Sequence, residues 1–287
     1  MSPDRLKGDD LEHRFHGSRT TSEPINESDP FDRAHAELLH LCAAYVPVGP
    51  RGFRFSHLTA ARIYRFPLPD RLAAGPLDVT APASAPQPRG KGVRGHRSDA
   101  GTLRTRHALP IVSPELAWLQ LSMVLTLDEL IVAGDFLVRR KRPLSTLTQL
   151  RAAVAAFAGR RGAQLARRAL ADIREKTDSP PESWVRIILV RAGLPEPLIR
   201  REVTHEGYFV GTPDLAYPRY RIALEYEGMY HRKAREFRDG IIRRELFEQA
   251  GWNYIQLTDD HIQNPRRLVA LVTAPLASDK ARLTLVP

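Results

Sequence analysis

Between Gly211 and Glu227 the chain reads Gly-Thr-Pro-Asp-Leu-Ala-Tyr-Pro-Arg-Tyr-Arg-Ile-Ala-Leu-Glu-Tyr-Glu. Alternation on both sides of a Pro- and Arg-containing segment suits a β-hairpin. With Pro218 to Arg221 as the loop, Tyr217 faces Ile222, Leu215 faces Leu224 and Asp214 faces Glu225. Leu215, Tyr217, Ile222, Leu224 and Tyr226 then share one side of the sheet, and Asp214, Ala216, Ala223, Glu225 and Glu227 the other. The first side is core. On the second, directly opposed carboxylates have Cβ atoms about 5 Å apart, where like charges repel unless a cation or a shared proton offsets them. A hard divalent cation, Mg²⁺ or Mn²⁺, takes oxygen ligands and keeps waters for chemistry. The plainer alternative is a solvated acidic strand face.

The flanking sequence extends the hairpin into a domain over residues 179–287. Ser179-Pro-Pro-Glu182 reads as an N-cap, a proline at the first helical position and a capping-box glutamate, with capping alone as the plain role for Glu182. That helix passes through Arg191 and stops at Gly193-Leu-Pro195. Leu198 to Thr204 and Tyr208 to Val210 read as strands about the turn His205-Glu-Gly207. A helix from Arg232 to Ala250 follows, with Ala234, Phe237, Ile241, Ile242, Leu246 and Ala250 inward and Gly251 at its C-terminus. Trp252 to Leu257 completes a right-handed crossover, so the order is αβββαβ with a mixed sheet.

Upstream, residues 1–32 are polar, acidic and aperiodic and are expected to be a disordered tail. Residues 33–178 form a basic, helix-rich α+β part, so the fold class overall is α/β. Helices are expected over Phe31 to Val46, after Ser56 as N-cap, and over Pro114 to Val124, Leu127 to Arg139, Leu147 to Phe157 (with Ser145 as cap) and Gly162 to Arg174. Short strands are expected at Leu77 to Thr80, Val93 to His96 and Leu103 to His107. The first two helices suit either a helix-turn-helix DNA reader or ordinary packing helices. Trp118, Trp184 and Trp252 read as core anchors.

Charge is unevenly placed. Residues 1–32 carry 4 Lys/Arg against 8 Asp/Glu, residues 33–178 carry 23 against 11, and residues 179–287 carry 16 against 14. A positive field in the middle attracts polyanions, nucleic acid above all. Arg94 and Arg97 in a Gly-rich basic loop, and Arg139, Arg140, Lys141 and Arg142 at a helix end, are candidate phosphate contacts, with helix-dipole pairing the alternative for the latter four. The pattern Gly90-Lys-Gly-Val-Arg-Gly95 lacks the strand–turn–helix context of a dinucleotide site, and His205-Glu206 lacks a second zinc-binding histidine, so no small-molecule cofactor is expected. Cys42 is the only cysteine, which excludes an internal disulfide and fits a cytoplasmic protein. No apolar run reaches membrane-spanning length.

Pro213-Asp214 and Glu225-Tyr-Glu227, with ten residues between the two principal acids, resemble the Pro-Asp…Asp/Glu-x-Lys signature of the restriction-endonuclease-like superfamily. Together with Pro180-Pro-Glu182, Glu225-Tyr-Glu-Gly228, His231, Asp239 and Gly251-Trp252, the segment is similar to very-short-patch-repair-like endonuclease domains, as in uncharacterised endonuclease-domain proteins of actinobacteria. More distantly, Phe55-Ser-His57 and Val112-Ser-Pro114 resemble the amino-terminal parts of abortive-infection antitoxins. The resemblance implies a Mg²⁺-dependent DNA endonuclease in which Asp214 and Glu225 bind metal, Glu182 assists and His231 lies near the phosphate. Glu227 stands where the signature has lysine, so His231, Lys233 or Arg235 would supply the positive charge. The alternative is an inactive DNA-binding regulator or antitoxin-like protein on the same fold. Either reading predicts DNA binding whose affinity falls steeply with added salt, read by fluorescence anisotropy at two ionic strengths. Binding indifferent to salt would point to a protein partner instead.

Overall fold

A computed structural model describes residues 11–12, 14–15, 17–18, 20–21, 27–101, 103–228 and 234–283. Contacts divide the chain into one unit of residues 1–137 and 144–172 and another of residues 138–143 and 173–287. The second unit therefore takes in 173–178 and 138–143, which sequence reading assigns to the first. The reason is local: the Arg140 N–H donates to the Thr177 carbonyl, and Arg140 and Lys141 both pair with Asp178. The fold class is α/β with mixed sheets.

Part of the N-terminal segment is ordered. Strands β1 (Leu11–Glu12) and β2 (Thr20–Thr21) pair antiparallel, and Phe15 sets its ring edge-on to Tyr45 at 5.2 Å. Helix α1 (Pro30–Tyr45) starts at Asp29, whose carboxylate accepts the N–H groups of Phe31 and Asp32, with proline next. Helix α2 (His57–Ile63) buries Leu58, Thr59, Ala60, Ala61 and Ile63. Buried on this many sides, α2 serves as a packing helix. Ser56 precedes it but does not cap it; the hydroxyl instead accepts from Thr80.

The first unit's sheet runs β5-β4-β3-β7-β6, from β3 (Arg54–Phe55), β4 (Leu77–Ala81), β5 (Val93–Arg97), β6 (Leu103–Arg106) and β7 (Leu109–Val112). Strand β5, parallel to β4, bears out the strand expected at Val93 to His96, and it places Arg94 and Arg97 on a strand rather than in a loop. Four helices follow: α3 (Pro114–Leu121), α4 (Leu127–Leu137), α5 (Leu147–Ala156) and α6 (Ala163–Asp172). Thr146, not Ser145, caps α5, in a reciprocal capping box with Gln149. Trp118 is fully buried and donates its indole N–H to the Leu130 carbonyl, and Cys42 is buried too.

The second unit opens with α7 (Pro180–Arg191). Sequence reading expects a single strand from Leu198, but the chain breaks it at Arg200, whose φ is 49°. The two halves, β8 (Leu198–Ile199) and β9 (Val203–His205), join different sheets: β9 pairs with β10 (Tyr208–Gly211), while β8 edges a sheet of order β13-β12-β11-β8. In that sheet β11 (Leu215–Tyr217) and β12 (Ile222–Tyr226) pair in the expected register, Leu215 with Leu224, Ala216 with Ala223 and Tyr217 with Ile222. Helix α8 (Ala234–Gln249) crosses to β13 (Asn253–Leu257), parallel to β12, and α9 (Asp259–Gln263) and α10 (Pro265–Leu283) close the unit. Among the described residues no helix is long and apolar enough to cross a membrane.

Each face of this sheet is covered. Leu215, Tyr217, Ile222 and Leu224 pack with Val185 and Leu189 of α7 and with Leu268, Val272 and Leu276 of α10. On the opposite face Ala223 packs with Val203, Phe247 and Tyr254, so the side bearing the acids has a small core of its own. Ala250 is buried as expected, but the stripe that helix α8 turns inward otherwise differs from the expected one. Phe247 and Ala250 are buried and Arg243 half-buried, whereas Ile241, Ile242 and Leu246 are exposed; the side chains of Ala234 and Phe237 lie outside the described residues. Phe247→Ala should therefore cost about 3–5 kcal/mol in urea unfolding. Ile242→Ala, at 55% exposure, should cost less than about 0.5 kcal/mol.

Candidate active site

Three carboxylates converge in the second unit from three elements. Asp214 lies one residue before β11, just outside the ladder, yet its carboxylate continues the pairing by accepting the N–H of Tyr226 at 3.0 Å. Glu225 is on β12, and Glu182 is in the first turn of α7. The ordinary cost of such a group is visible in every member. Burial first, and the Asp214 charge second, push the carboxyls of Glu182 and Glu225 up to about 7, and burial raises Asp214 as well.

Two arginines that sequence reading overlooks offset the repulsion. Arg200 places its guanidinium 3.6 Å from Asp214 and 3.3 Å from Asp178, which also receives Arg140, so charges alternate along Arg140, Asp178, Arg200 and Asp214. Arg243 donates to the Thr212 carbonyl at 2.6 Å and pairs with Glu225 at 3.1 Å. The only sequence sign of Arg243 is its spacing four residues before Phe247. An arginine in an inward stripe is easily discounted as a surface residue.

Glu182 does what its helix position suggests, in altered form. It accepts the N–H of Asp178, one residue before the N-cap, at 3.0 Å and the hydroxyl of Ser179 at 2.8 Å. With an oxygen committed to each donor and 4% exposure, it feels the Asp214 charge, which adds to burial in raising its carboxyl. Glu227 accepts from Gln256 at 2.7 Å. His231 and Lys233 lie outside the described residues, as does the side chain of Arg235.

The basic residues are placed differently from their sequence reading. Helix α4 ends at Leu137, so Arg139, Arg140, Lys141 and Arg142 follow it and do not sit on its last turn; Arg140 and Lys141 are held by Asp178. Arg94 reaches toward Asp78 at 3.7 Å, and Arg97 is exposed at the end of β5. Among the described residues, the group of three His, Cys, Asp or Glu ligand atoms within 4.8 Å of one another is in the first unit, not among these acids.

No protein-family model and no solved structure matches the chain. Two curated proteins of Mycobacterium tuberculosis, each described as an uncharacterized protein, are 30% identical to it over 159 residues, covering 51% of this chain and 58% of theirs. The chain thus spans little more than half the length of these curated relatives.

The electrostatics give a signed prediction. A carboxyl whose folded pKa is raised adds stability only below its unfolded pKa and loses it as pH rises through the folded one, here between about 4.5 and about 7. In EDTA, Glu225→Gln should therefore be more stable than the wild type near pH 8, by on the order of 1–2 kcal/mol, and the gain should vanish toward pH 5. Thermal unfolding of both proteins across this range checks it; a variant less stable at every pH would show that the Arg243 pairing outweighs burial.

Proposed function

We propose that the second unit hydrolyses DNA phosphodiester bonds with a water activated at Asp214 and Glu225, in a cytoplasmic protein whose basic first unit contributes backbone contacts. The observation that carries this reading is the convergence of Glu182, Asp214 and Glu225 on one partly buried place despite mutual repulsion. Perturbed carboxyls gathered with cations in this way are the arrangement that catalytic sites use to tune their acids. The donors are all oxygen, and the burial that raises both carboxyls is relieved by positive charge, so Asp214 and Glu225 fit Mg²⁺ or Mn²⁺. When bound, the ion would lower the pKa of a water and offset phosphate charge.

The remaining roles belong to the chain. Glu182 fastens the start of α7 through Asp178 and Ser179 and would assist the acid pair as a third carboxyl. Arg243, released from Glu225, would be free to neutralise charge developing on a phosphate, the part that the signature lysine plays in the family this segment resembles. Arg200 balances Asp214. A second reading has an observation of its own: in this structure arginines already pair with both principal acids, and Glu227 with Gln256 occupies the lysine position. That favours a DNA-binding regulator, antitoxin-like in kind, on a nuclease fold without activity.

Supercoiled plasmid separates the two. The enzyme nicks it with Mg²⁺ or Mn²⁺ and not with EDTA; Asp214→Asn and Glu225→Gln lower the rate by about 100-fold or more, and Arg243→Lys by about 10-fold. Glu227→Lys impairs an active enzyme, because it breaks the Gln256 contact. Tight binding without cleavage in either metal, or a gain of cleavage in Glu227→Lys, supports the regulator.

A further inference from the structure

The first unit gathers two histidines and an aspartate from separate elements. His57 opens α2, Asp78 is on β4 and His96 is on β5, and one ligand atom of each lies within 4.8 Å of the others. His96 Nε2 is 2.9 Å from Asp78 Oδ1, and the two imidazoles stack at 3.8 Å between centroids. We propose that His57, Asp78 and His96 bind a single divalent first-row transition-metal ion, with Zn²⁺ as the reference species. Two imidazole nitrogens and one carboxylate oxygen suit Zn²⁺ or its neighbours and not Mg²⁺, which takes oxygen donors. The site is independent of the carboxylates in the second unit.

The carboxylate of Asp78 is buried and incompletely satisfied. It is 1% exposed, and its Oδ2 is buried without a hydrogen-bond partner. A buried carboxylate oxygen left unsatisfied is costly, and a cation beside it removes the cost directly. Arg94, at 3.7 Å from Oδ1 and half-exposed, does not serve Oδ2.

The histidines are held in place rather than merely nearby. His57 has a left-handed backbone, φ 48°, kept there by its N–H bond to Gln120 Oε1 at 2.8 Å. Strain at a non-glycine residue persists where the surroundings fix it, commonly at ligand sites. Ser56 Oγ, which accepts the Thr80 hydroxyl, lies 2.9 Å from His57 Nδ1. A partner on one ring nitrogen orients the other toward a metal. His96 is fixed through Gly95: a Cβ there would lie 1.9 Å from the Pro88 carbonyl oxygen, so only glycine allows β5 this approach. Three protein ligands leave coordination positions for water, and His96 is partly exposed.

The test uses the full chain stripped of metal. Co²⁺ titration reports imidazole ligation through its visible ligand-field spectrum, and bound Zn²⁺ is counted after dialysis. The wild type, and the Asp214→Asn/Glu225→Gln double variant, should each hold a single Zn²⁺ at this site, undisplaced by excess Mg²⁺. His96→Gln and His57→Asn should each weaken Co²⁺ binding by roughly 100-fold or more. Asn tolerates the left-handed backbone at position 57, and His96 lies on an edge strand, so at least one variant should keep the far-UV circular dichroism of the wild type. No uptake of Zn²⁺ or Co²⁺ by the wild type overturns the proposal. So does unchanged uptake in a folded histidine variant, or loss of the imidazole spectrum in the double variant.

Discussion

Holding Glu182, Asp214 and Glu225 together away from bulk water is unfavourable, and much of the second unit can be understood as compensation for it. Asp214 takes the Tyr226 N–H and faces Arg200; Glu225 pairs with Arg243; Glu182 accepts donors from Asp178 and Ser179. Buried ionic networks of this kind do not make a protein more stable than apolar packing would, but breaking one member leaves an uncompensated charge.

The fold brings the compensating groups in by close packing. Small residues lie on the acid-bearing side of the sheet, Ala216 and Ala223, and both are fully buried. At Gly211 of β10 a Cβ would come within 2.8 Å of the Phe247 ring, so α8 settles tightly at that point and carries Arg243 to Glu225. The left-handed residue Arg200 ends β8, and its N–H bonds the Asp214 carbonyl, so one residue both breaks the strand and balances the acid beside it.

What was legible in sequence follows from periodicity. The β11–β12 register could be read because alternation with period two and a Pro-containing loop admit one solution, and the parallel β13 follows from the helix between. The inward face of α8 could not, because Arg243 interrupts its apolar stripe and the neighbouring Ile241 and Ile242 mimic a different one. The break at Arg200 and the β6–β7 turn were hidden for a related reason. His107 and Ala108 form that turn with φ 50° and 58°, where glycine or asparagine would have announced it. Asp214, Glu225 and Glu182 stood out as acids in suggestive places; Arg200 and Arg243 resembled the many surface arginines. The His57, Asp78 and His96 group was invisible because its members meet only once α2 is packed on a parallel strand pair.

Whether the acids are a cation site is the question on which the functional account turns. Diffraction from crystals soaked in Mn²⁺, with data collected near the manganese absorption edge, addresses it directly. The account predicts an anomalous peak between Asp214 and Glu225, with Arg243 moved off Glu225. No peak there, with Arg243 still paired to Glu225, would contradict it.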